Sequence, residues 1–543
     1  MKIILFVPFL AFMAGCVSER VNIQDPVSTY QEFLVGEGPQ DRTGTGELTP
    51  LIPAVNAGLP QLRETTGPDG EKAINLTLDN AVVRAMANSP EIYVLSFDPS
   101  ISRENISIAV SEFDLTAFGQ VGYDKTDALS NDISQADQFH TSTWEAGVKQ
   151  KGYTGAEWSL SYSLRRGFDE SLSRKFTTSY EPVMVFELRQ PLLRDAWPEA
   201  NLAGLSISKL NYRKSLEEFR EKAESVSVQV ISLYWALHQA RRDLEIQEDL
   251  LQQTLETLKK VEDRKAIDAS MGDIKFAETA VKNREVMLYE ARKRIADVTD
   301  RLLKLISDSQ MSLLDSPEII PETRPDTSFT ELNEEELLNR ALKNNPTIQQ
   351  AKLELEVAGI NIEVAKWNKL PRLDIVASTQ MQGLSDSRGE AEEIFSDGDY
   401  VGYGVGLTFE YPLGNRERNA DLRIRKLRQS KARSNLQVVS DQVATLVREK
   451  IRSAETAYRD IRIYHEAAAA AEIHLQDLED LETVRKKLTP EFLLTKIQAQ
   501  ESLASARSGE IKAIVDYNIA LTNLAQATGE VLDLRYVKDI AGR

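Results

Sequence analysis

The feature that most constrains this chain is a seven-residue apolar repeat between residues 199 and 305. It is interrupted once, around Arg264–Gly272, and then resumes. Such a repeat predicts two long helices that must supercoil with partners to be buried. The helix from Glu199 to Arg264 extends roughly 100 Å at ~1.5 Å per residue, which favours a protein that crosses a wide gap. The repeat comprises Ala223, Val230, Leu237, Leu244, Leu251 and Leu258, then Ile274, Val281, Leu288, Ile295 and Leu302.

The composition fits long solvated helices and argues against a nucleic-acid partner. Of the 543 residues, 27% are charged and 7% are aromatic, and the formal net charge is −19. Phosphate binding needs a basic surface, which this balance does not provide. The negative charge has two interpretations: it keeps the protein soluble, or it forms a lumen or surface that attracts cations.

The N-terminus resembles an export signal followed by a lipid-attachment site. Lys2 precedes an apolar run from Ile3 to Ala14 that is too short for a membrane-spanning helix, which needs about 20 residues. The run ends in Ala-Gly-Cys, similar to a bacterial lipobox, in which the cysteine is acylated, with palmitate among the chains. Cys16, the only cysteine, is therefore the predicted lipidation site and forms no intrachain disulfide. The alternative is an ordinary signal peptide with an incidental cysteine.

An internal duplication organises the remainder of the chain. A helix ending at Asn88-Ser89-Pro90 has a counterpart ending at Asn344-Asn345-Pro346, and each is followed by helical, β and long helical segments in the same order. The predicted divisions are a signal peptide at 1–15, an extended tether at 16–73, a first repeat at 74–311, a linker at 312–330, a second repeat at 331–535 and a tail at 536–543.

The β regions of the two repeats lie at residues 113–190 and 372–411. The last strand of the second region alternates large apolar residues with small or polar ones, which gives it one apolar face. A soluble sandwich strand has this pattern, and so does a barrel strand that faces lipid; the export signal favours the barrel. The apolar residues of this strand are Val401, Tyr403, Val405, Leu407, Phe409 and Tyr411.

The first β region is longer than the second, and the additional residues predict one more hairpin. Its strands are Trp144–Lys151 and Trp158–Arg165, joined near Tyr153-Thr154-Gly155. The hairpin either enters the barrel or caps it, and both arrangements fit the sequence.

Each repeat ends in a long helical pair, at 199–305 in the first and 418–529 in the second. The second pair breaks near Lys486–Phe492, where Pro490 interrupts the helical pattern. Its returning helix carries alanine at every seventh position, which allows neighbouring helices to approach closely. These alanines are Ala499, Ala506, Ala513, Ala520 and Ala527.

Together these features resemble the TolC-type outer-membrane channel family, also called the outer membrane efflux proteins. The resemblance covers most of residues 74–531 and lies in the order and spacing of several short motifs. They are the Leu-x-x-Ala and Asn-x-Pro openings at 78–90 and 338–346, and the segments 190–194, 234–237, 516–521 and 527–529.

The resemblance implies a mixed α and β membrane protein built as a homotrimer. Each copy would give four strands to a twelve-stranded outer-membrane β-barrel, continuous with a long periplasmic α-helical coiled-coil barrel. The partners implied are a periplasmic adaptor (membrane fusion) protein, an inner-membrane transporter and outer-membrane lipid. Val17, where some lipoproteins carry the aspartate of inner-membrane retention, is compatible with an outer-membrane location.

The helix tips are the predicted docking surfaces. Ser270, Asp273, Ile274 and Ala277 match the tip motif of the family, whereas the second tip carries Thr495 where the family has aspartate. Asp273 is interpreted either as a docking residue or as a carboxylate that stabilises a helix N-terminus. The candidate docking residues are Arg264, Ser270, Gly272, Asp273, Lys487, Pro490 and Thr495.

The sequence carries no signature of catalysis. It contains neither a Walker A loop nor a Gly-x-Ser-x-Gly elbow, and His465 and His474 lack the spacing of a helical metal clamp. No enzyme activity, metal or cofactor is therefore expected. The predicted function is the passive exit duct of a tripartite efflux or type I secretion system. The alternative is a non-conducting, periplasm-spanning coiled-coil scaffold lipoprotein.

Overall fold

The computed structural model describes residues 62–66, 72–127, 138–169, 175–266, 269–308, 311, 317–484 and 489–533. The predicted signal peptide, Cys16, most of the tether, Lys487 and the tail lie outside the described residues.

Four long helices form the largest part of the fold. They are α5 (Ala203–Asp263), α6 (Met271–Ile306), α10 (Arg416–Val484) and α11 (Pro490–Thr528). They pack side by side in the order α6, α5, α11, α10, so that α5 and α11 join the two repeats. At ~1.5 Å per residue the 61 residues of α5 extend roughly 90 Å. No helix within the described ranges is both long enough and apolar enough to cross a membrane.

Six strands form one antiparallel sheet at one end of this helical layer. They are β3 (Thr116–Asp127), β4 (Gln138–Lys151), β5 (Glu157–Asp169), β6 (Thr178–Pro191), β8 (Arg372–Gln382) and β9 (Val401–Glu410), which neighbour one another in that order. The predicted additional hairpin is β4–β5, and it lies in the middle of the sheet, between β3 and β6. A short helix, α9 (Arg388–Asp397), connects β8 to β9.

A second, smaller sheet lies against the middle of the helices. It consists of β1 (Arg63–Thr66), β2 (Lys72–Leu76) and β7 (Glu318–Pro321). Because β7 pairs in parallel with β2, the segment between the two repeats is held against the first one. The Tyr234 hydroxyl of α5 donates to the Leu76 carbonyl at 3.0 Å and accepts from the Thr323 backbone N–H at 2.9 Å.

Shorter helices precede the strands in each repeat and pack on the long ones. In the first repeat they are α1 (Leu78–Asn88), α2 (Pro90–Leu95) and α3 (Phe97–Ser111), followed after β6 by α4 (Pro198–Asn201); in the second they are α7 (Glu334–Asn344) and α8 (Pro346–Asn368). The main hydrophobic core lies where α1 and the small sheet meet α5 and α6. A second core joins α7 and α8 to α10 and α11.

Asn345 connects a helix cap to the packing of the second repeat. Its side-chain oxygen accepts from the backbone N–H groups of Thr347 at 3.0 Å and Ile348 at 3.4 Å, which caps α8. Its side-chain amide donates to the Ala527 carbonyl at 3.0 Å, near the end of α11. A single buried side chain therefore satisfies backbone groups of two helices.

We expect Asn345→Ala to destabilise the protein by about 2–3 kcal/mol, since it removes a cap and leaves a buried carbonyl unpaired. The matched control is Asn333→Ala, which removes only the exposed cap of α7 and should cost about 1 kcal/mol. Thermal unfolding in detergent, followed by circular dichroism, compares the two. Equal destabilisation would show that the contact with Ala527 contributes nothing.

Candidate functional site

The six-stranded sheet has one continuous apolar face. The register of the strands places apolar residues of neighbouring strands opposite one another. On β5 and β6, Tyr162 lies opposite Met184 and Leu160 lies opposite Phe186. On β9, the Tyr403 side chain is 89% exposed and the Val405 side chain is 78% exposed. A contiguous exposed patch of large apolar residues is unusual on a surface that contacts water. The face is completed by Val121 on β3, Trp144 on β4, Leu188 on β6, and Ile375 on β8.

The opposite face is lined mostly by small, polar and charged side chains, although Phe118, Val183, Val185 and Val376 also lie on it. Ser159, Ser161 and Ser163 on β5 lie on this face, as do Gly402, Gly404 and Gly406 on β9. Small residues leave room along the face, and charged ones make it wettable.

A charged network crosses four strands of this polar face close to the helices. The Asp374 carboxylate accepts from Arg189 at 2.8 Å and from Arg372 at 2.7 Å. Arg189 also contacts Glu157 at 3.2 Å, and Arg372 lies 3.8 Å from Glu410. The network ties β5, which belongs to the additional hairpin, to β6, β8 and β9.

The predicted docking residues fall at the far end of the helical layer, away from the large sheet. Arg264 is the C-terminal cap of α5, Ser270 is the N-terminal cap of α6, and Gly272 is exposed in the first turn of α6. Pro490 begins α11 behind the cap Thr489. The exposed Thr495 hydroxyl donates to the Glu491 carbonyl at 2.8 Å, within its own helix.

Asp273 forms a capping box with Ser270. The Asp273 carboxylate accepts from the Ser270 backbone N–H at 2.9 Å, and the Ser270 hydroxyl accepts from the Asp273 backbone N–H at 3.2 Å. This arrangement satisfies two amide groups at the start of α6. The helix-stabilising interpretation of Asp273 therefore has a geometric basis, and its docking role stays a prediction.

The two tips are packed against each other by an apolar cluster. Val261 of α5 and Ile274 of α6 meet Leu493 and Ile497 of α11. The structure thus brings together tip residues that are more than two hundred positions apart in the sequence.

Beside this cluster, one carboxylate holds two lysines from different helices. Glu482 of α10 lies 2.6 Å from the Lys496 ammonium of α11 and 3.1 Å from the Lys260 ammonium of α5. The Lys496 side chain is only 3% exposed. Burial by itself would raise the pKa of Glu482, but the hydrogen bonds and charges of Lys496 and Lys260 hold that pKa below its usual value.

Further polar contacts between the two repeats continue above the tips. The buried Gln500 side chain of α11 donates to the Thr257 hydroxyl of α5 at 3.2 Å. Farther along, the Ser508 hydroxyl donates to the Asp243 carboxylate at 2.6 Å, and burial raises the pKa of Asp243 despite that bond. Sequence analysis missed these residues because the apolar repeat marks only the helix faces. The one available signal was polar residues next to repeat positions, such as Gln500 after Ala499.

The histidines form no site in the described part of the chain. His465 lies 2.7 Å from Glu510, exposed on the helical surface, and burial lowers the pKa of His238. Across the described residues no group of three potential ligands is positioned to hold a metal ion.

Comparison with known proteins gives consistent similarities. The sequence model of the outer membrane efflux protein family matches residues 337–481. The chain is 21% identical to the outer membrane efflux protein BepC of Brucella suis over 377 residues, which covers 68% of this chain and 76% of BepC. It is 27% identical to the outer membrane protein TolC of Escherichia coli over 201 residues, or 36% of this chain and 39% of TolC.

The fold is also that of solved membrane proteins. A crystal structure of a membrane protein from Pseudomonas aeruginosa superimposes with a TM-score of 0.63 at 16% identity, covering 83% of this chain and 93% of that one. A large sheet with one apolar face, continued by a duplicated layer of long helices, is thus the fold that this chain shares with solved membrane proteins. The matches to the outer membrane efflux protein model and to BepC agree with the resemblance found in the motifs of this chain.

Removing the charge at Glu482 should loosen the tips. We expect Glu482→Gln to leave Lys496 buried without a counter-ion, at a cost of about 2 kcal/mol, the size of a hydrogen bond to a charged group. Hydrogen exchange of the peptides around 255–266 and 489–500 should then accelerate by roughly thirtyfold. The matched control is Glu472→Gln, which removes a solvent-exposed pair with Arg507 between the same two helices, α10 and α11. Similar exchange in both variants would contradict the role of Glu482.

Acid should have the same effect on the unsubstituted protein. A carboxylate whose folded pKa is lowered stabilises the fold above its unfolded pKa of about 4.3, and the stabilisation is lost as the pH falls through the folded value. Exchange at the tips, corrected for the intrinsic pH dependence, should therefore increase below about pH 4. The Glu482→Gln variant should lack this contribution.

Proposed function

We propose that the protein is the trimeric outer-membrane exit duct of a tripartite efflux or secretion system. The observation that carries the proposal is the six-stranded sheet with one apolar and one polar face, joined to helices roughly 90–100 Å long. The apolar face would contact lipid, the polar face would line the lumen, and the helices would cross the periplasm. Conduction is passive, as in the channel family, and no catalytic step is assigned.

Unpaired surfaces of the single chain support assembly into a trimer. β3 and β9 are the edges of the large sheet, and their free backbone groups need partners wherever they lie in hydrocarbon. On the helices, exposed apolar residues lie on the outermost members of the layer, for example Tyr289 on α6 and Ile463 on α10. A neighbouring copy would cover both sets.

The helical tips are the proposed contact with a periplasmic adaptor and, through it, with an inner-membrane transporter. They lie farthest from the large sheet and combine exposed residues of both repeats, including Gly272 and Thr495. At the opposite end of the assembly, a lipid chain on Cys16 would add an anchor to the membrane. Efflux of small molecules is favoured over protein secretion because the curated relative BepC is an efflux protein.

A non-conducting scaffold is the weaker candidate. A scaffold would use the long helices, but it would gain nothing from a sheet whose large aromatic and aliphatic residues are exposed on one face only. The continuous apolar face therefore favours the channel.

Channel formation can be tested with two adjacent residues of β8 that point to opposite faces. We expect the purified chain to be trimeric and to give single-channel steps in planar bilayers. Ala377→Arg places a charge on the apolar face and should make the free energy of membrane insertion less favourable by about 2–4 kcal/mol. Ser378→Arg places the same charge on the polar face, so this variant should insert normally. A monomeric protein without conductance, or equal insertion of the two variants, would contradict the proposal.

Docking at the tip can be separated from helix capping. Asp273→Ala and Ser270→Ala each remove the capping box, so both should weaken the first turn of α6 to a similar degree. If the Asp273 carboxylate also contacts the adaptor, Asp273→Ala should reduce export severalfold more than Ser270→Ala at equal protein levels. Drug accumulation in cells that rely on this duct measures the difference. An equal loss would assign Asp273 to capping alone.

A further inference from the structure

We propose that three copies of this chain close a barrel of eighteen strands, six from each copy, in which the β4–β5 hairpin is part of the membrane wall. The inference rests on the proposed trimeric channel and extends it. The resemblance to the family implies four strands per copy, so the hairpin changes the width of the duct.

The position of the hairpin leaves the edges of the sheet unchanged. It is inserted between β3 and β6, whereas the free edges are β3 and β9. β3 runs away from the helices and β9 runs back toward them, so that β3 of one copy and β9 of the next are antiparallel. Val121 and Tyr123 on β3 lie on the same apolar face as Val405 on β9, whereas Phe118 on β3 lies on the polar face. The second copy is therefore the partner that fits each edge.

Both strands of the hairpin carry the two faces that a membrane wall requires. On β5, Trp158, Leu160 and Leu164 continue the apolar face of β6, opposite Leu188, Phe186 and Pro182 respectively. The serines between them continue the polar face. A hairpin that capped the barrel from outside would have no need of an alternation in phase with its neighbours.

The turn of the hairpin is fixed to the helical end of the sheet. The Tyr153 ring packs 4.8 Å from that of Phe113, centroid to centroid, and the Tyr153 carbonyl accepts from the Asn201 side chain at 3.2 Å. Gln190, at the end of β6, donates to the Thr154 carbonyl at 3.2 Å. A Cβ on Gly155, whose φ is +73°, would lie 2.0 Å from the Asp195 carbonyl oxygen, so the turn is seated without space for a side chain. Together with the ion pair between Glu157 and Arg189, these contacts hold the turn of the hairpin at the same end of the sheet as the end of β6.

The circumference of an eighteen-stranded wall matches that of the helical layer. Four long helices per copy, spaced by about 8–10 Å, give a tube of roughly 100–120 Å in circumference for three copies. Strands about 4.8 Å apart and tilted by about 40° each occupy roughly 6 Å of circumference. Eighteen strands then span about 110 Å, and twelve only about 75 Å. The diameter between opposite backbones is about 36 Å for eighteen strands and about 24 Å for twelve. The wider barrel continues the helical tube without narrowing.

The test compares thiol accessibility on the hairpin with that on an edge strand. Single cysteines are introduced in the full chain as Leu160→Cys and Ser161→Cys on β5, with Leu407→Cys and Thr408→Cys on β9 as the matched control pair. The trimer in lipid vesicles is treated with a water-soluble maleimide, and the unsubstituted chain measures labelling at Cys16. We expect rapid labelling at 161 and 408 and at least tenfold slower labelling at 160 and 407. Electron cryo-microscopy of the same trimer should count eighteen strands.

Each other outcome identifies what has failed. If 407 and 408 alternate while 160 and 161 label equally, or if twelve strands are counted, a barrel exists and the hairpin lies outside it; the inference is then wrong and the proposed function stands. If 407 and 408 also label equally, the barrel itself is absent and both proposals are wrong.

Discussion

The constraint on which this molecule depends is that a strand in hydrocarbon cannot leave its backbone N–H and C=O groups unpaired. The large sheet satisfies this requirement internally for β4, β5, β6 and β8, but each of its edges, β3 and β9, has one open side. A single copy is therefore an incomplete part of the proposed barrel wall. In the proposed trimer, closure by further copies would place their helical layers side by side, so that the need to pair strands in the membrane would also determine the tube that extends from it.

The helices are subject to a different constraint, because helices from two repeats of unlike sequence must pack into one layer. Alanines along α11 allow close approach, and residues such as Ala499, Ala513 and Ala527 are indeed buried. Between the repeats, the contacts near the tips combine apolar packing of Val261 and Ile274 against Leu493 and Ile497 with the ion pair between Lys260 and Glu482. Glu482 also pairs with Lys496 within the second repeat. The end where partners are proposed to dock is therefore held together by both apolar packing and charge.

Much of this architecture could be predicted from the sequence, because periodicity directly reports the buried face of a helix or strand. The seven-residue repeats that contain Leu237 and Ile274 predicted the long helices, and the alternation of large and small residues around Val405 predicted β9. The charge network around Asp374 and the link at Glu482 could not be predicted, since each depends on residues that are distant in sequence and meet only through the fold. The place of the additional hairpin was undecided for the same reason: the alternation at Trp158 describes its faces but not its neighbours.

The position of the hairpin would allow the proposed wall to be widened at this particular place. An insertion of two strands preserves the antiparallel order and returns the chain to the same side of the membrane, whereas one strand would reverse the direction of everything that follows. Placed between β3 and β6, the pair leaves both edge strands and their mutual fit intact. Placed at an edge, it would have replaced the interface between copies. A hairpin in the interior of the sheet, anchored at its turn by Tyr153 and Gly155, would therefore change the width of the proposed barrel without a compensating change in assembly.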